Sequence, residues 1–195
     1  MKLGTKSLLY GAHCFLLHPW FVAAAWTRIY GFPFDPRLWI AFFVHDLGYL
    51  GKPNMDGTEG QTHVELGATI MRILFGKPWG DFTRYHSRFY AKRDGRHFSR
   101  LCVADKLALS LTPPWLYLPM VRRTGEIQEY KAVTNCRITQ GEPQGTMPAS
   151  TISQDEQWYA QIQEYARRWA ETHKDGRTDT WTPVPIQSTQ HLAHT

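Results

Sequence analysis

The sequence predicts an all-α protein, and three observations support that fold class. Apolar residues recur at helical spacing along most of the chain, and Gly or Pro stands at most of the breaks. No segment alternates apolar and polar residues convincingly enough to predict a strand. Apolar residues make up 43% of the 195 residues and charged residues 20%, which is typical of a globular chain. We therefore expect one helical domain over residues 1–173 and a flexible, disordered tail over residues 174–195.

The N-terminal half is expected to hold three helices and a long polar loop. The helices are predicted over residues 6–17, 20–30 and 37–47, and the loop over residues 48–60. Pro19 favours a fresh helical start, and Gly31 ends the second helix. Gly48 is expected in the left-handed conformation that often ends a helix. The loop is rich in Gly, Pro and Asn, so it is a candidate to line a site.

The remainder is expected to hold five more helices. They are predicted over residues 63–75, 79–93, 98–111, about 125–134 and 155–173, with a loop over residues 136–153. Thr62 is the expected N-cap of the first, with Glu65 as its capping-box partner. The last is an amphipathic helix whose apolar face carries Trp158, Ile162, Tyr165 and Trp169. It could pack on the core or mediate formation of a homo-oligomer, and the sequence leaves both open.

Composition and charge narrow the classes of partner. The formal charge of +5 and the isoelectric point near 9.2 suit an anionic substrate but are too weak to predict nucleic-acid binding. Residues 7–27 carry no charged side chain, yet His, Pro and Gly interrupt them, so we expect no membrane span. The three cysteines, Cys14, Cys102 and Cys136, lack a CxxC pattern, which favours a reducing, cytoplasmic location.

The stretch that carries chemistry is the pair His45-Asp46, which follows the apolar run of residues 38–43. A charged group at the buried end of such a helix is costly unless something neutralises it. A bound cation would do so, because adjacent imidazole and carboxylate groups can reach one ion or two neighbouring ions. The pair can equally be an aspartate with an ordinary hydrogen bond beside a packed histidine.

Four more polar side chains are predicted on apolar helix faces, namely His18, His63, His86 and Asp105. Any one of them could be a satisfied core residue, but five helices that all direct a His or Asp inward favour a shared site. Imidazole and carboxylate donors without thiolate suit Mn, Fe, Co, Zn or Mg. Six ligands exceed the needs of one tetrahedral ion, whereas two divalent metal ions bridged by Asp46 would use them all.

At these residues the chain resembles the HD superfamily, the helical metal-dependent phosphohydrolases named for adjacent His and Asp ligands. The resemblance covers about residues 13–111. Its motifs are His18-Pro19-Trp20-Phe21-Val22-Ala23, His45-Asp46-Leu47-Gly48, His63-Val64-Glu65-Leu66-Gly67-Ala68, and His86 with Ala104-Asp105-Lys106-Leu107. The metal ligands that it implies are His18, His45, Asp46, His63, His86 and Asp105, with Asp46 as the bridge. His13 is the rival for the first position, but it lacks the Val-Ala context.

The resemblance implies hydrolysis of a small phosphorylated substrate, a nucleotide by default, by a metal-activated water. Tyr49 and Ser87 depart from the pattern of the superfamily's cyclic dinucleotide phosphodiesterases, which weakens that substrate in particular. Two alternatives stay open. One is a mixed-valent di-iron oxygenase that acts on a small polar substrate, and the other is a non-catalytic binding module with the same fold.

A phosphohydrolase also needs a cation for the substrate's phosphate. Arg93 lies two turns after His86 on the same predicted helix face, so it is our first choice. Lys106 and Lys52 are further candidates because they stand near the motifs. We therefore expect Asp46, Arg93 and Lys106 to carry the catalytic roles.

Overall fold

The computed structural model of the protein describes residues 1–139 and 155–175, and for residues 133–139 it describes the backbone alone. All regular structure in these residues is helical, which confirms the all-α prediction. No helix in this part of the chain is long and apolar enough to cross a membrane. The helices are α1 (Leu3–Tyr10), α2 (His18–Tyr30), α3 (Pro36–Val44), α4 (Thr58–Gln61), α5 (Val64–Phe75), α6 (Lys77–Arg84), α7 (Arg88–Arg93), α8 (Arg100–Leu111), α9 (Pro114–Thr124), α10 (Glu126–Thr139) and α11 (Asp155–His173).

The central helix of the core is α8, which packs against α2 and α11. Leu101, Val103, Ala104 and Ala108 are completely buried there, together with apolar residues of α2 and α3. α5 packs against α6 and α3, and a smaller apolar cluster joins α9, α10 and α11. This packing brings the beginning of α2, the end of α3 and the middle of α8 to one place.

The first helix is shorter than predicted. α1 ends at Tyr10, and residues 11–17 form turns instead of continuing the helix. Glu126 explains the break, because its completely buried carboxylate accepts a hydrogen bond from the N–H of Ala12 at 3.0 Å. A Cβ at Gly11 would lie 2.2 Å from Glu126 Oε1, so a larger residue would displace this contact.

The His-Asp pair lies just beyond the end of α3 rather than within a helix over residues 37–47. His45 is the C-cap of α3, and a 3-10 turn follows over Leu47–Tyr49. Gly48 does not have a positive φ, so the prediction of a left-handed terminator is wrong. Its Cβ would lie 1.8 Å from the backbone oxygen of His63, and this close approach is what requires glycine.

The beginning of α5 also differs from the prediction. His63 is the N-cap residue of α5, and no side chain caps the helix. Thr62 instead ends α4 as its C-cap, and its hydroxyl donates to the backbone oxygen of Glu59. Glu65 accepts a hydrogen bond from Arg84 at 2.6 Å, so the predicted capping box does not form. His63 therefore lies at the junction of two helices.

One segment predicted as a single helix is divided, and the helix α9 was missed. Residues 79–93 fall in α6 and α7, and the Ser87 hydroxyl accepts from the N–H of Tyr90 at the start of α7. His86 lies in the break, so it does not share a helix face with Arg93, and that part of the prediction is wrong. The helix predicted over about residues 125–134 corresponds to α10, and Gly125, with φ of 89°, separates it from α9, which the sequence analysis did not predict.

The amphipathic helix α11 has the predicted bounds, Asp155–His173. Trp158 and Trp169 are buried on its apolar face, so this helix packs on the core. Residues 136–139 belong to α10, not to the predicted loop. The rest of that loop up to residue 154, and the expected tail beyond residue 175, lie outside the described residues.

Candidate metal centre

The six predicted ligands lie together, although they come from five separate segments of the chain. They form two groups that share Asp46, and the donor atoms within each group lie within 4.8 Å of one another. The first group is His18, His45, Asp46 and Asp105, and the second is Asp46, His63 and His86. Such a buried cluster of imidazole and carboxylate groups could hold a metal ion.

The first group surrounds one carboxylate oxygen of Asp46. His45 Nε2 lies 3.1 Å from Asp46 Oδ2, and His18 Nε2 lies 3.5 Å from it. Asp105 closes the group, because its Oδ1 lies 2.9 Å from His18 Nε2 and 3.7 Å from His45 Nε2. The Asp105 side chain is 28% exposed and that of Asp46 only 8%, so Asp105 is the carboxylate that faces solvent.

The second group surrounds the other oxygen of the same carboxylate. His86 Nε2 lies 3.5 Å from Asp46 Oδ1, and His63 Nε2 lies 3.7 Å from it. The two Nε2 atoms are 3.1 Å apart. Asp46 therefore turns one oxygen toward each group, as a carboxylate does when it bridges two ions.

Backbone carbonyls fix the rings of three histidines. The Nδ1 atoms of His45, His63 and His86 lie 2.9, 2.8 and 2.6 Å from backbone oxygens three residues earlier. A carbonyl oxygen can only accept, so each Nδ1 carries a proton, and in the neutral ring Nε2 presents its lone pair toward Asp46. Metal-binding histidines are usually oriented by such a second hydrogen bond.

When both rings are neutral, the contact between His63 and His86 is unfavourable unless a proton or a metal ion lies between the two Nε2 atoms. Because both Nδ1 atoms donate, two Nε2 lone pairs face each other at 3.1 Å when the rings are neutral. Burial and the charge of His86 lower the pKa of His63 to about 3, so His63 does not relieve the contact by taking up a proton at neutral pH. A cation bound to both nitrogens would turn this repulsion into coordination.

The first group contains two buried atoms that make no hydrogen bond, His45 Nε2 and Asp46 Oδ2. Buried polar atoms in native proteins nearly always have a partner, because leaving one unpaired is costly. A cation can satisfy a ring nitrogen and a carboxylate oxygen at the same time. A proton on His45 Nε2, 3.1 Å from Asp46 Oδ2, can also join these two atoms, and a metal ion would replace that proton.

The charged groups of the cluster stabilise one another's charged forms. Burial lowers the pKa of His45, but the carboxylates of Asp46 and Asp105 outweigh it and raise the pKa to about 10. Burial raises the pKa of Asp46, yet the charges of His45 and His13 keep it well below its usual range. The pKa of Asp105 is also lowered, despite burial, by the hydrogen bond with His18 at 2.9 Å and by the nearby ring of His45. Both carboxylates are therefore anionic at neutral pH.

Two glycines allow the segments to approach this closely. A Cβ at Gly67 would lie 2.4 Å from the backbone oxygen of Val44, and the similar contact of Gly48 with His63 is described above. The end of α3 and the beginning of α5 therefore touch backbone to backbone. This contact brings the His-Asp pair against His63.

His13, the rival for the first ligand position, belongs to neither group. Its Nδ1 lies 2.9 Å from Ser7 Oγ, and its ring centroid lies 5.6 Å from that of His18. Tyr49 packs between His13 and His63 and stacks on His63 with centroids 4.1 Å apart. His13 and Tyr49 therefore pack against the candidate ligands His18 and His63. The local sequence does not predict this role for Tyr49, because the stack depends on a distant partner.

The cations proposed for phosphate contact have other partners. Arg93 Nε donates to Asp94 Oδ1 at 2.8 Å, and its guanidinium lies 4.0 Å from the ring of Tyr90. Lys106 lies over two aromatic rings of α11, and Lys52 donates to a threonine hydroxyl. Their contact with a substrate stays a prediction.

A cleft, which we name the access cleft, opens the first group to solvent. It is narrow, with room for about one water molecule, and it reaches His18, His45 and Asp46. The rest of its lining is mostly apolar and consists of Leu8, His13, Phe15, Pro19, Phe42, Phe43 and Leu47. The sequence analysis missed this feature, because the walls come from segments that meet only in the folded protein.

Comparison of the chain with models of known protein families found no match, and comparisons with curated proteins and with solved structures found none either. The buried His/Asp cluster in an all-helical fold is compatible with an HD-type metal site. The argument for function therefore depends on the geometry of the site.

Proposed function

We propose that the protein is a metal-dependent phosphoester hydrolase that uses two divalent ions, one in each group of the metal centre. The observation that carries this proposal is that the two carboxylate oxygens of Asp46 face different groups. Its Oδ2 lies 3.1 Å from His45 Nε2, and its Oδ1 lies 3.5 Å from His86 Nε2. Two ions that share such a bridge suit phosphoester hydrolysis, because the attacking and the leaving oxygen can both be stabilised.

The donor set supports this choice of ions. Both groups offer nitrogen and oxygen, and the buried Cys14 and Cys102 belong to neither. Burial raises the pKa of Cys102 to about 12, so it stays a thiol. Imidazole and carboxylate donors suit Mn, Fe, Co, Zn or Mg. The second group has three members, which leaves a position open for water or substrate even at a four-coordinate ion. The first group has four members, so an ion there must have five or more ligands to admit substrate.

Bound divalent ions supply Lewis acidity, which makes water a nucleophile at neutral pH and offsets the charge of the phosphoester. The oxygen of water bonds to phosphorus, the P–O bond to the leaving group breaks, and the leaving oxygen takes up a proton. Asp46 holds the two groups in register, and the backbone bonds to Nδ1 fix the directions of three ligand rings. Arg93 and Lys106 are the proposed cations for the phosphoester, and a nucleotide is the substrate that the resemblance implies.

The test combines metal content with phosphate release. Wild-type protein and Asp46→Ala are loaded with Mn²⁺, Co²⁺ or Zn²⁺, and ions per chain are measured by elemental analysis. Asp81→Ala is the control, because Asp81 pairs with Lys77 outside the cluster. We expect two ions and phosphate release from nucleotide or other phosphoesters in the wild type and in the control. Asp46→Ala should lose both while keeping its helical circular dichroism signal.

Two results would refute the proposal. One is full activity in Asp46→Ala, which would remove the bridging role. The other is a metal-loaded wild type that releases phosphate from no ester. Two bound irons with substrate-dependent O₂ consumption would instead identify the di-iron oxygenase, and a folded protein that binds no metal would identify the non-catalytic module.

A further inference from the structure

The access cleft has the wrong chemistry for a highly charged substrate. Among the described residues, its lining holds no lysine or arginine, and its polar side chains are Asp46, His13, His18 and His45. A polyphosphate needs cations along its length, and bidentate guanidinium contacts are the usual solution. The walls of this cleft are instead suited to an apolar group, which they would remove from water.

The apolar lining continues onto the surface as a chain of aromatic contacts. Phe15 lies 5.6 Å from Phe43, Phe43 lies 5.8 Å from Trp20, and Trp20 lies 5.7 Å from Trp39. Phe32 and Phe34 extend the series beyond Trp39. We name this surface the aromatic track, and its members are Phe15, Phe43, Trp20, Trp39, Phe32 and Phe34.

The aromatic track is partly open to solvent. Trp20 is 57% exposed and Phe34 is 86% exposed. A contiguous exposed apolar surface usually marks a binding site. Phe15 and Phe43 belong both to the track and to the walls of the access cleft, so the surface is continuous with the metal centre. This continuity indicates that the occupant of the track is the same molecule that reaches Asp46.

We propose that the substrate is a phosphoester of an apolar alcohol, with an aryl group or an alkyl chain on the leaving oxygen. The inference rests on the proposed function. One phosphate oxygen reaches the first group of ligands through the narrow access cleft, and the apolar group lies on Phe15 and Phe43 at its mouth and along Trp20. Water adds to phosphorus, the P–O bond to the apolar alcohol breaks, and the products are that alcohol and inorganic phosphate.

The experiment compares matched esters on the full-length, metal-loaded protein. Decyl phosphate, used as a dissolved monomer, is compared with glycerol 1-phosphate, and 1-naphthyl phosphate with adenosine monophosphate. We expect kcat/KM to be at least about tenfold higher for the apolar member of each pair, as for methylene groups taken up by an apolar pocket. Equal values, or a preference for the polar member, would overturn the inference and leave the proposed function intact.

Two tryptophan variants separate the aromatic track from general surface effects. Trp20→Ala should lower kcat/KM for decyl phosphate about tenfold more than it lowers kcat/KM for glycerol 1-phosphate. Trp115→Ala is the matched control, because Trp115 is exposed on α9 and is absent from the access cleft. A Trp20→Ala variant that dissociates an oligomer or releases the protein from vesicles, with unchanged kcat/KM, would overturn the assignment.

A binding measurement keeps the inference testable if no ester is hydrolysed. Calorimetry would compare decylphosphonate with ethylphosphonate on the metal-loaded protein, and neither compound can lose its carbon group by hydrolysis. Tighter binding of decylphosphonate that is lost in Trp20→Ala would support the track while the proposed hydrolysis failed. Equal affinities for the two phosphonates would overturn it.

Discussion

The metal centre joins five separate segments, so ion binding should stabilise the fold measurably. Its ligands begin α2, follow α3, precede α5, join α6 to α7 and lie within α8. An ion that binds only the folded chain adds about 2.7 kcal/mol when its free concentration is 100 times Kd. For a chain of this size about 1 kcal/mol raises Tm by roughly 2–4 °C. Each ion should therefore raise Tm by about 5–11 °C.

The structure predicts how much of this rise in Tm each variant should keep. His86→Ala leaves the second group with only Asp46 and His63, while the first group keeps all four members. We therefore expect one ion and about half of the wild-type shift. Asp46→Ala removes a ligand of both groups and should show almost no shift. Thr69→Ala, at an exposed position of α5, should keep the full shift.

The assay is differential scanning fluorimetry of chelator-treated protein, with each variant titrated with Mn²⁺, Co²⁺ and Zn²⁺ against its own metal-free baseline. Referring each variant to its own baseline separates ion binding from any direct effect of the substitution. If His86→Ala lost the whole shift, the two groups would not bind independently and the division described here would be wrong. A full shift in Asp46→Ala would refute the bridging role.

Three further predictions concern close packing, protons and thiols. Gly48→Ala places a Cβ 1.8 Å from the backbone oxygen of His63, so it should lower the free energy of unfolding by at least about 1–3 kcal/mol and reduce metal content, as measured by urea titration and elemental analysis. Burial lowers the pKa of His45, but Asp46 raises it from 6.5 to about 10. In the metal-free protein the protonated His45 ring therefore stabilises the fold fully below pH 6.5, and this stabilisation is lost near pH 10. A metal ion must displace the proton of His45, so chelator competition should show the affinity of the protein for the ion rising about tenfold per pH unit from pH 7 to 9. An affinity that does not change with pH would contradict the charge assigned to His45. Burial raises the pKa of Cys102 to about 12, so mass spectrometry should find it alkylated at pH 8 only after unfolding.

The reasoning from helix faces succeeded where a ligand lies inside a helix. Val22 and Ala25 follow His18 at helical spacing, and both of those residues are buried. Asp105 lies among Leu101 and Cys102, which are buried as well. In these positions the spacing of apolar residues alone identifies the inward face, and a polar residue on that face is a reliable candidate.

The same reasoning does not explain the candidate ligands at helix ends, although His63 and His86 are also buried. Leu74 has the helical spacing of an inward partner for His63 but is exposed, and His86 lies between two helices. Gly48 shows a related limit. Its conformation is ordinary, and the reason for glycine is a backbone oxygen 15 residues later in the chain. The break at Gly11 likewise depends on Glu126, far away in sequence. Such contacts between distant segments leave no periodic signal.

The ends of three helices position the candidate ligands that the pattern of helix faces does not explain. His45 lies one residue beyond α3, and His63 and His86 lie two residues beyond α4 and α6. In each case the carbonyl that receives Nδ1–H belongs to the last turn of the preceding helix. Those carbonyls lie at the helix end that carries partial negative charge, and the carbonyls of Gly60 and Thr83 also accept the N–H of His63 and His86 at 3.0 and 3.3 Å. They therefore fix the tautomer, direct Nε2 toward Asp46 and favour a cation at the point where three helix ends converge.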